Sequence, residues 1–336
     1  MRRVGKQSII FANKPCLLET ASVVGPKEGE GPLAEYFDVI LPDNILNQDS
    51  WEKAEQAMLL KAIDLSLKKS SLKRENIDFF IAGDLLNQII SAGFTARELA
   101  IPFFGIYGAC STSAEGLALG SILLDGGFAE KILVATSSHN CTAERQYRGP
   151  TEQGMQLVPT SQCTVTGAGA FILGTKGSKV KISSATIGRV IDLGIKDPND
   201  MGSAMAPAAA DTLSNHFHDF NLKPEEYDLI LTGDLARVGS SILKELLAKK
   251  GIDLGANYFD AGVMIFSPEQ GVNAGGSGCG CIASTIAGFI FSGMKAGKWK
   301  KVLLVATGAM LSLTSYQQKE SIPSIAHAVV LEYEGG

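Results

Sequence analysis

Short apolar runs alternate with longer segments of helical character along most of the chain. Asp78 to Ala82 and Phe103 to Tyr107 read as buried strands. A sharp turn at Gly108-Ala109-Cys110 then leads into a helix rich in Ala, Leu and Gly, which closes at Gly126-Gly127. Lys131 to Thr136 is again a strand of aliphatic and β-branched residues. The C-terminal part predicts strands near Leu229–Leu231, Val263–Phe266 and Val302–Ala306, with a helix over Ile282–Lys295. Both helices are dense in small residues, among them Ser113, Gly116 and Gly120 in one and Ala283, Ala287 and Gly288 in the other. Such helices let neighbouring backbones approach closely, so each is expected to lie between sheets.

The two parts echo one another. Residues 110–136 lie over 281–307 without a gap, matching Cys110 with Cys281, Ser113 with Ser284, Ser121 with Ser292, Gly126 with Gly297, and Leu-Val-Ala-Thr at both ends. Upstream, the segment 77–85 echoes 227–235, and downstream 168–173 echoes 326–331. Echoes kept in one order indicate internal duplication, with halves expected at 1–177, carrying Cys110, and 178–336. A length of 336 residues suits two such units.

Composition narrows the function. Hydrophobic residues are 45% and charged residues 19% of the chain, which argues for buried α/β layers and against disorder. A net charge of −5 with no basic cluster makes nucleic acid an unsuitable partner. The run Lys295–Lys301 reads as a solvated helix end. No apolar stretch is long enough to span a bilayer, and no signal peptide is expected. Six cysteines without dense spacing point to a reducing compartment.

The segments 103–121 (FFGIYGACSTSAEGLALGS), 135–153 (ATSSHNCTAERQYRGPTEQ) and 259–285 (FDAGVMIFSPEQGVNAGGSGCGCIAST) resemble the thiolase and ketoacyl synthase superfamily. Within it they are most similar to the stage V sporulation protein AD family of spore-forming bacteria. The resemblance implies an α/β thiolase fold, duplicated in a five-layer α-β-α-β-α arrangement, and a homodimer paired through the central strands of the halves. It implies binding of dipicolinic acid, alone or with calcium, for uptake into the developing spore. It further implies peripheral attachment at the spore inner membrane through membrane-embedded proteins of the same sporulation operon. No cofactor is implied.

Cys110 is the sharpest candidate. Backbone N–H groups and a helix start beside its sulfur would favour a thiolate or a bound anion; the alternative is a small buried hydrophobe. His139, with Ser138, follows the central strand, where loops collect at the ligand edge of α/β sheets. Arg145 and Arg148 lie on the departing loop and suit carboxylates, or else a surface or subunit contact. Asp84 and Asn87 follow the first strand, Ser113 and Glu115 sit in the first helical turn, and Asp84 and Glu115 could offer oxygens to calcium, although the spacing gives no calcium loop. His327 is either a satisfied core histidine or a pocket wall near Cys110. His216 and His218 read as solvated or capping, and no metal site is expected.

Ketoacyl synthases complete their site from the second half with His and Asn or two His. Here those places hold Thr232-Gly233-Asp234 and Gly275–Cys279, and the thiolase C-terminal Cys-Gly-Gly-Gly is replaced by Pro323–His327. A binding protein is therefore expected before an acyltransferase using Cys110, or a ligand-free structural partner of a membrane transporter.

Overall fold

The computed structural model describes residues 2–147 and 158–335. After two short strands at Arg3–Val4 and Ser8–Ile10, the main elements are β1 (Cys16–Val24), α1 (Trp51–Lys69), β2 (Phe79–Gly83), α2 (Ile90–Leu99), β3 (Phe103–Gly105), α3 (Thr112–Asp125), β4 (Lys131–Ser138), α4 (Asn140–Tyr147) and β5 (Gly167–Gly174). It continues with β6 (Val180–Thr186), α5 (Met201–Phe220), β7 (Leu229–Gly233), α6 (Ala236–Ala248), β8 (Tyr258–Asp260), α7 (Ala261–Met264) and α8 (Cys279–Thr285). A π turn at Ile286–Ile290 joins α8 to α9 (Phe291–Lys295), followed by β9 (Lys301–Ala309) and β10 (Ser324–Tyr333).

The strands run in the order β8-β7-β9-β10-β6-β1-β5-β4-β2-β3. From either edge the pattern is the same: a parallel trio, then two antiparallel strands. The two sets touch where Lys181 of β6 stands opposite Cys16 of β1.

Alternation along each strand makes the layers. In β4, Ile132 and Val134 face the central core while Leu133 and Ala135 pack under α1 and α2. In β9, Val302 and Leu304 face the same centre, and Leu303 and Val305 pack under α5 and α6. The centre is filled by α3 and α8, with Leu117, Ile282 and Ile286 fully buried. Each such side chain contributes about 1.5–3 kcal/mol by leaving water. The result is the expected five layers, α-β-α-β-α.

Local expectations fared less evenly. Val263–Phe266 is not a strand: the Asp260 side chain accepts a hydrogen bond from the Val263 N–H and caps α7 instead. The second central helix starts at Cys279, ahead of Ile282. His216 is fully buried, its Nδ1 bonded to the Thr186 hydroxyl and its Nε2 to the Tyr227 hydroxyl, while His218 is exposed.

The duplicate is also one residue out of step with the ungapped match. Asp78 accepts hydrogen bonds from the Lys131 and Glu130 N–H groups, and Asp228 from those of Lys301 and Lys300. Ser111 N–H bonds Gly108 O as Cys281 N–H bonds Gly278 O. Gly127 and Gly297 share a left-handed φ of 76° and 74°. The structural counterpart of Cys110 is thus Gly280. Matching Leu133 to Leu304 would set an outward residue against an inward one, since a one-residue slip flips every side chain. Runs of Leu, Val and Ala resemble themselves when shifted by one, which hid the slip.

Candidate functional site

Cys110 lies on the connection between β3 and α3, two residues before the helix begins. The preceding Ala109 is left-handed (φ 52°), a conformation costly for a residue with a Cβ. The turn is held internally: the Ser111 hydroxyl donates to Gly108 O at 2.7 Å and the Thr112 hydroxyl to Ala109 O at 2.6 Å. Backbone packs on it directly. A Cβ on Gly308 of β9 would fall 2.0 Å from Gly108 O and 3.1 Å from Cys110 N. Only glycine permits that approach.

The cavity at Cys110 is small, about 40 Å³, room for roughly three waters. Its walls include Leu85, Ala143, Tyr147, Met201, Met205 and Leu311, with Gln162, Thr164 and Ser277 as polar groups. Among the described residues no charged side chain lines it. Tyr147 is fastened in this wall, its hydroxyl bonded to Leu85 O and to the Tyr107 hydroxyl.

Helix α4 is a wall with two faces. Ala143 and Tyr147, four residues apart, face the Cys110 cavity. Thr142, Arg145 and Gln146 face a much larger cleft of about 660 Å³. The cleft's other sides are the start of α1, with Glu52, Lys53 and Gln56, and the segment Leu86–Ser91 with Phe94 and Arg97 of α2.

A family model for stage V sporulation protein AD matches residues 5–332. The stage V sporulation protein AD of Bacillus subtilis (strain 168) is 50% identical over 336 residues, covering 100% of this chain and 99% of the relative. The chain belongs to the stage V sporulation protein AD family. Among solved structures it is similar to 3-oxoacyl-[acyl-carrier-protein] synthase III from Aquifex aeolicus VF5 (TM-score 0.60, 16% identity, 95% of this chain and 100% of that one). It is likewise similar to cerulenin-bound OleA from Xanthomonas campestris (TM-score 0.62, 13% identity, 96% and 100%). These likenesses establish the thiolase fold for this family member.

The remaining sequence-derived candidates scatter. Asp84 is fully buried and turns back on the backbone, accepting from Leu86 N–H at 2.8 Å and Ala92 N–H at 2.7 Å; burial pushes its pKa up to about 6. Ser138 ties the halves together, donating to Val165 O and accepting from Gly280 N–H. His139 is buried against Trp51, with Nε2 bonded to Asn44 O and Nδ1 accepting from Cys141 N–H. Burial lowers its pKa, so it is a neutral core imidazole outside the Cys110 cavity. Asn87 and Arg145 line the cleft, where Arg145 pairs with Glu52. Arg148 falls outside the described residues.

Ser113 is buried on α3, and its hydroxyl has no hydrogen-bond partner among the described residues. The Glu115 carboxyl lies under Gly108, and burial raises its pKa. His327 stands opposite Ala306, accepts from Gly188 N–H on Nδ1, and is lowered by burial to about 4. It does not line the Cys110 cavity.

Asp234 and Cys279 stand in the segments where the sequence comparison expects the histidine or asparagine of the synthases. Asp234 is fully buried with neither carboxyl oxygen hydrogen-bonded among the described residues. Gly278 N–H and the Cys281 thiol are close without closing a bond, and burial holds the acid well above the usual carboxylate range. The Cys279 thiol donates to Ser137 O at 2.9 Å and is pushed up by burial. Burial thus disfavours the charged form of both groups.

Sequence reading missed Glu55, Lys53, Gln56 and Arg97. Glu55 was findable. It sits on the apolar stripe of α1 with Met58, Leu59 and Ala62, fully buried and bonded to the Ser137 and Thr142 hydroxyls. Lys53 and Arg97 gave no signal, because α1, α2 and α4 converge only in three dimensions.

Proposed function

We propose that this protein binds dipicolinic acid, alone or as its calcium chelate, for uptake into the developing spore, and performs no chemistry on it. One observation carries the reading: Cys110 keeps its strained turn, yet no histidine of the described residues lines its cavity. Acyl transfer needs a group to take the thiol proton and donors for the carbonyl oxygen. His139, His216 and His327 are each buried and engaged in other contacts, and burial raises the pKa of Asp234 and of Cys279.

Calorimetric titration of the full chain with dipicolinate, with and without calcium, is expected to give saturable binding. No heat and no thermal stabilisation at millimolar ligand would sink the reading and favour a ligand-free structural partner. Intact-mass analysis after exposure to acyl-CoA is expected to show an unmodified chain, whereas an adduct on Cys110 would restore the acyltransferase.

No helix among the described residues is long and apolar enough to cross a membrane. Attachment at the spore inner membrane is therefore proposed to run through membrane-embedded proteins of the same operon, and the chain is proposed to pair as a homodimer. Release from spore membranes by a salt wash, in parallel with loss of those proteins from co-purification, would support this.

A further inference from the structure

The ligand class proposed above is a small planar dianion, two carboxylates on one aromatic ring. Cys110 marks the cavity where the fold suggests placing it. That cavity is about 40 Å³ and has no charged wall among the described residues, whereas pockets for small ligands usually reach about 300 Å³ or more. A dianion moved there would lose its hydration and gain no cation in return.

The cleft on the other side of α4 has the volume and the charge. Lys53, Arg97 and Arg145 line it against Glu52, the one acid among its described lining residues. Arg97 forms no ion pair with a carboxylate among the described residues; its guanidinium stacks over the Phe94 ring at 4.5 Å. Phe94 is 42% exposed in the same wall, a surface for an aromatic ligand. Arg145 is paired with Glu52, and a guanidinium has donors enough to hold a second carboxylate. Lys53 pairs with Asp49 at the surface, where such pairs are weak and exchange readily.

A second feature points to a ligand. Ser91, 1% exposed, lines the cleft, and its hydroxyl has no hydrogen-bond partner among the described residues. Buried hydroxyls are otherwise almost always paired. Asn87 and Gln146 add amides on either side.

We propose that the dicarboxylate is held in this outer cleft, one carboxylate on Arg97 and Ser91 and the other on Arg145 and Lys53, with its ring against Phe94. The inference rests on the dicarboxylate-binding reading. It assigns the Cys110 cavity no ligand contact.

Titration of the full chain with dipicolinate at two salt concentrations tests it. Arg97→Gln and Arg145→Gln are each expected to weaken binding about tenfold or more, the loss of one charge-assisted contact, and Ser91→Ala several-fold. Benzoate, with one carboxylate, is expected to bind about tenfold or more weakly than dipicolinate. Arg97 and Arg145 are exposed, and Ser91→Ala removes only a hydroxyl with no partner among the described residues, so circular dichroism is expected to match wild type. Wild-type affinity in both arginine variants, or a loss confined to Cys110→Ala, overturns the cleft and leaves dicarboxylate binding standing. No saturable binding by the wild-type chain overturns both.

Discussion

Glu55 is one of several buried groups expected to shape the response of stability to pH. Burial and the like charge of Asp84 push its pKa up to about 8, with Asp84 itself raised to about 6 and Glu28 to about 7. A carboxyl raised in the folded state keeps a proton that the unfolded chain has already released, so its stabilisation is present at low pH and lost as pH rises through the folded value. His216, lowered to about 3, and His327, lowered to about 4, act on the acid side. Below their ordinary value of 6.5 the unfolded chain takes up protons that the folded chain refuses. Thermal stability is therefore expected to peak in the mildly acidic range and to fall by pH 9. Glu55→Gln keeps groups that can bond the Ser137 and Thr142 hydroxyls and removes the ionisation, so its melting temperature is expected to exceed wild type by more at pH 9 than at pH 6. Equal pH slopes for the two proteins would refute this. Single residues were also where sequence reading was weakest. Asp84, Ser138 and His139 do stand beside strand ends as expected, but a polar side chain there can serve the backbone or a ligand equally well. Which it does depends on where nearby N–H and C=O groups point, and composition does not carry that.

Strands and helices were more legible, because hydrophobic alternation and glycine punctuation are properties of contiguous residues. β2, β4, β7 and β9 all appear within a few residues of the expected bounds. The failures share a cause: α7 replaces a strand through one capping aspartate, and the repeat slips because aliphatic runs look alike when shifted. The slip matters for the site, since it leaves Cys110 without a cysteine counterpart. One contact between elements joins the two halves and another holds the Cys110 turn. Ser138 at the end of β4 bridges Val165 O and Gly280 N–H, and Ser138→Ala is expected to cost about 1–3 kcal/mol in urea unfolding by leaving buried backbone groups unpaired. Gly308 of β9 lies against the turn itself, where a Cβ would come within 2.0 Å of Gly108 O. Gly308→Ala is expected to cost about 1–3 kcal/mol or more through backbone displacement, and to change the alkylation rate of Cys110 as its turn moves. An unchanged stability and an unchanged rate would show that the contact is not under steric constraint.

The whole molecule was the most legible scale, since duplication and two small-residue helices already imply a helix layer between sheets. What sequence could not supply was which strands end up at the margins. Pairing of two copies through the central strands, as the resemblance implies, meets a geometric obstacle. β4 is flanked by β2 and β5, and β9 by β7 and β10, so both ladders are already occupied. Among the described strands of this path, a second copy can extend the sheet only at β3 or β8. β3 is the better candidate: Phe103 and Phe104 are 36% and 41% exposed, and Tyr107 beside them is 41% exposed. An edge strand with bare aromatics invites pairing, and native edges of this kind are normally covered. The proposed homodimer is accordingly expected to form by β3 pairing across a two-fold axis. Light scattering coupled to gel filtration is expected to give a dimer for the wild-type chain and a monomer for Phe104→Lys, whose charge would have to be buried in the joined sheet. The variant's circular dichroism should match wild type, because Phe104 lies at the margin of its sheet. A wild-type monomer, or a Phe104→Lys dimer as tight as wild type, would rule out β3 as the interface.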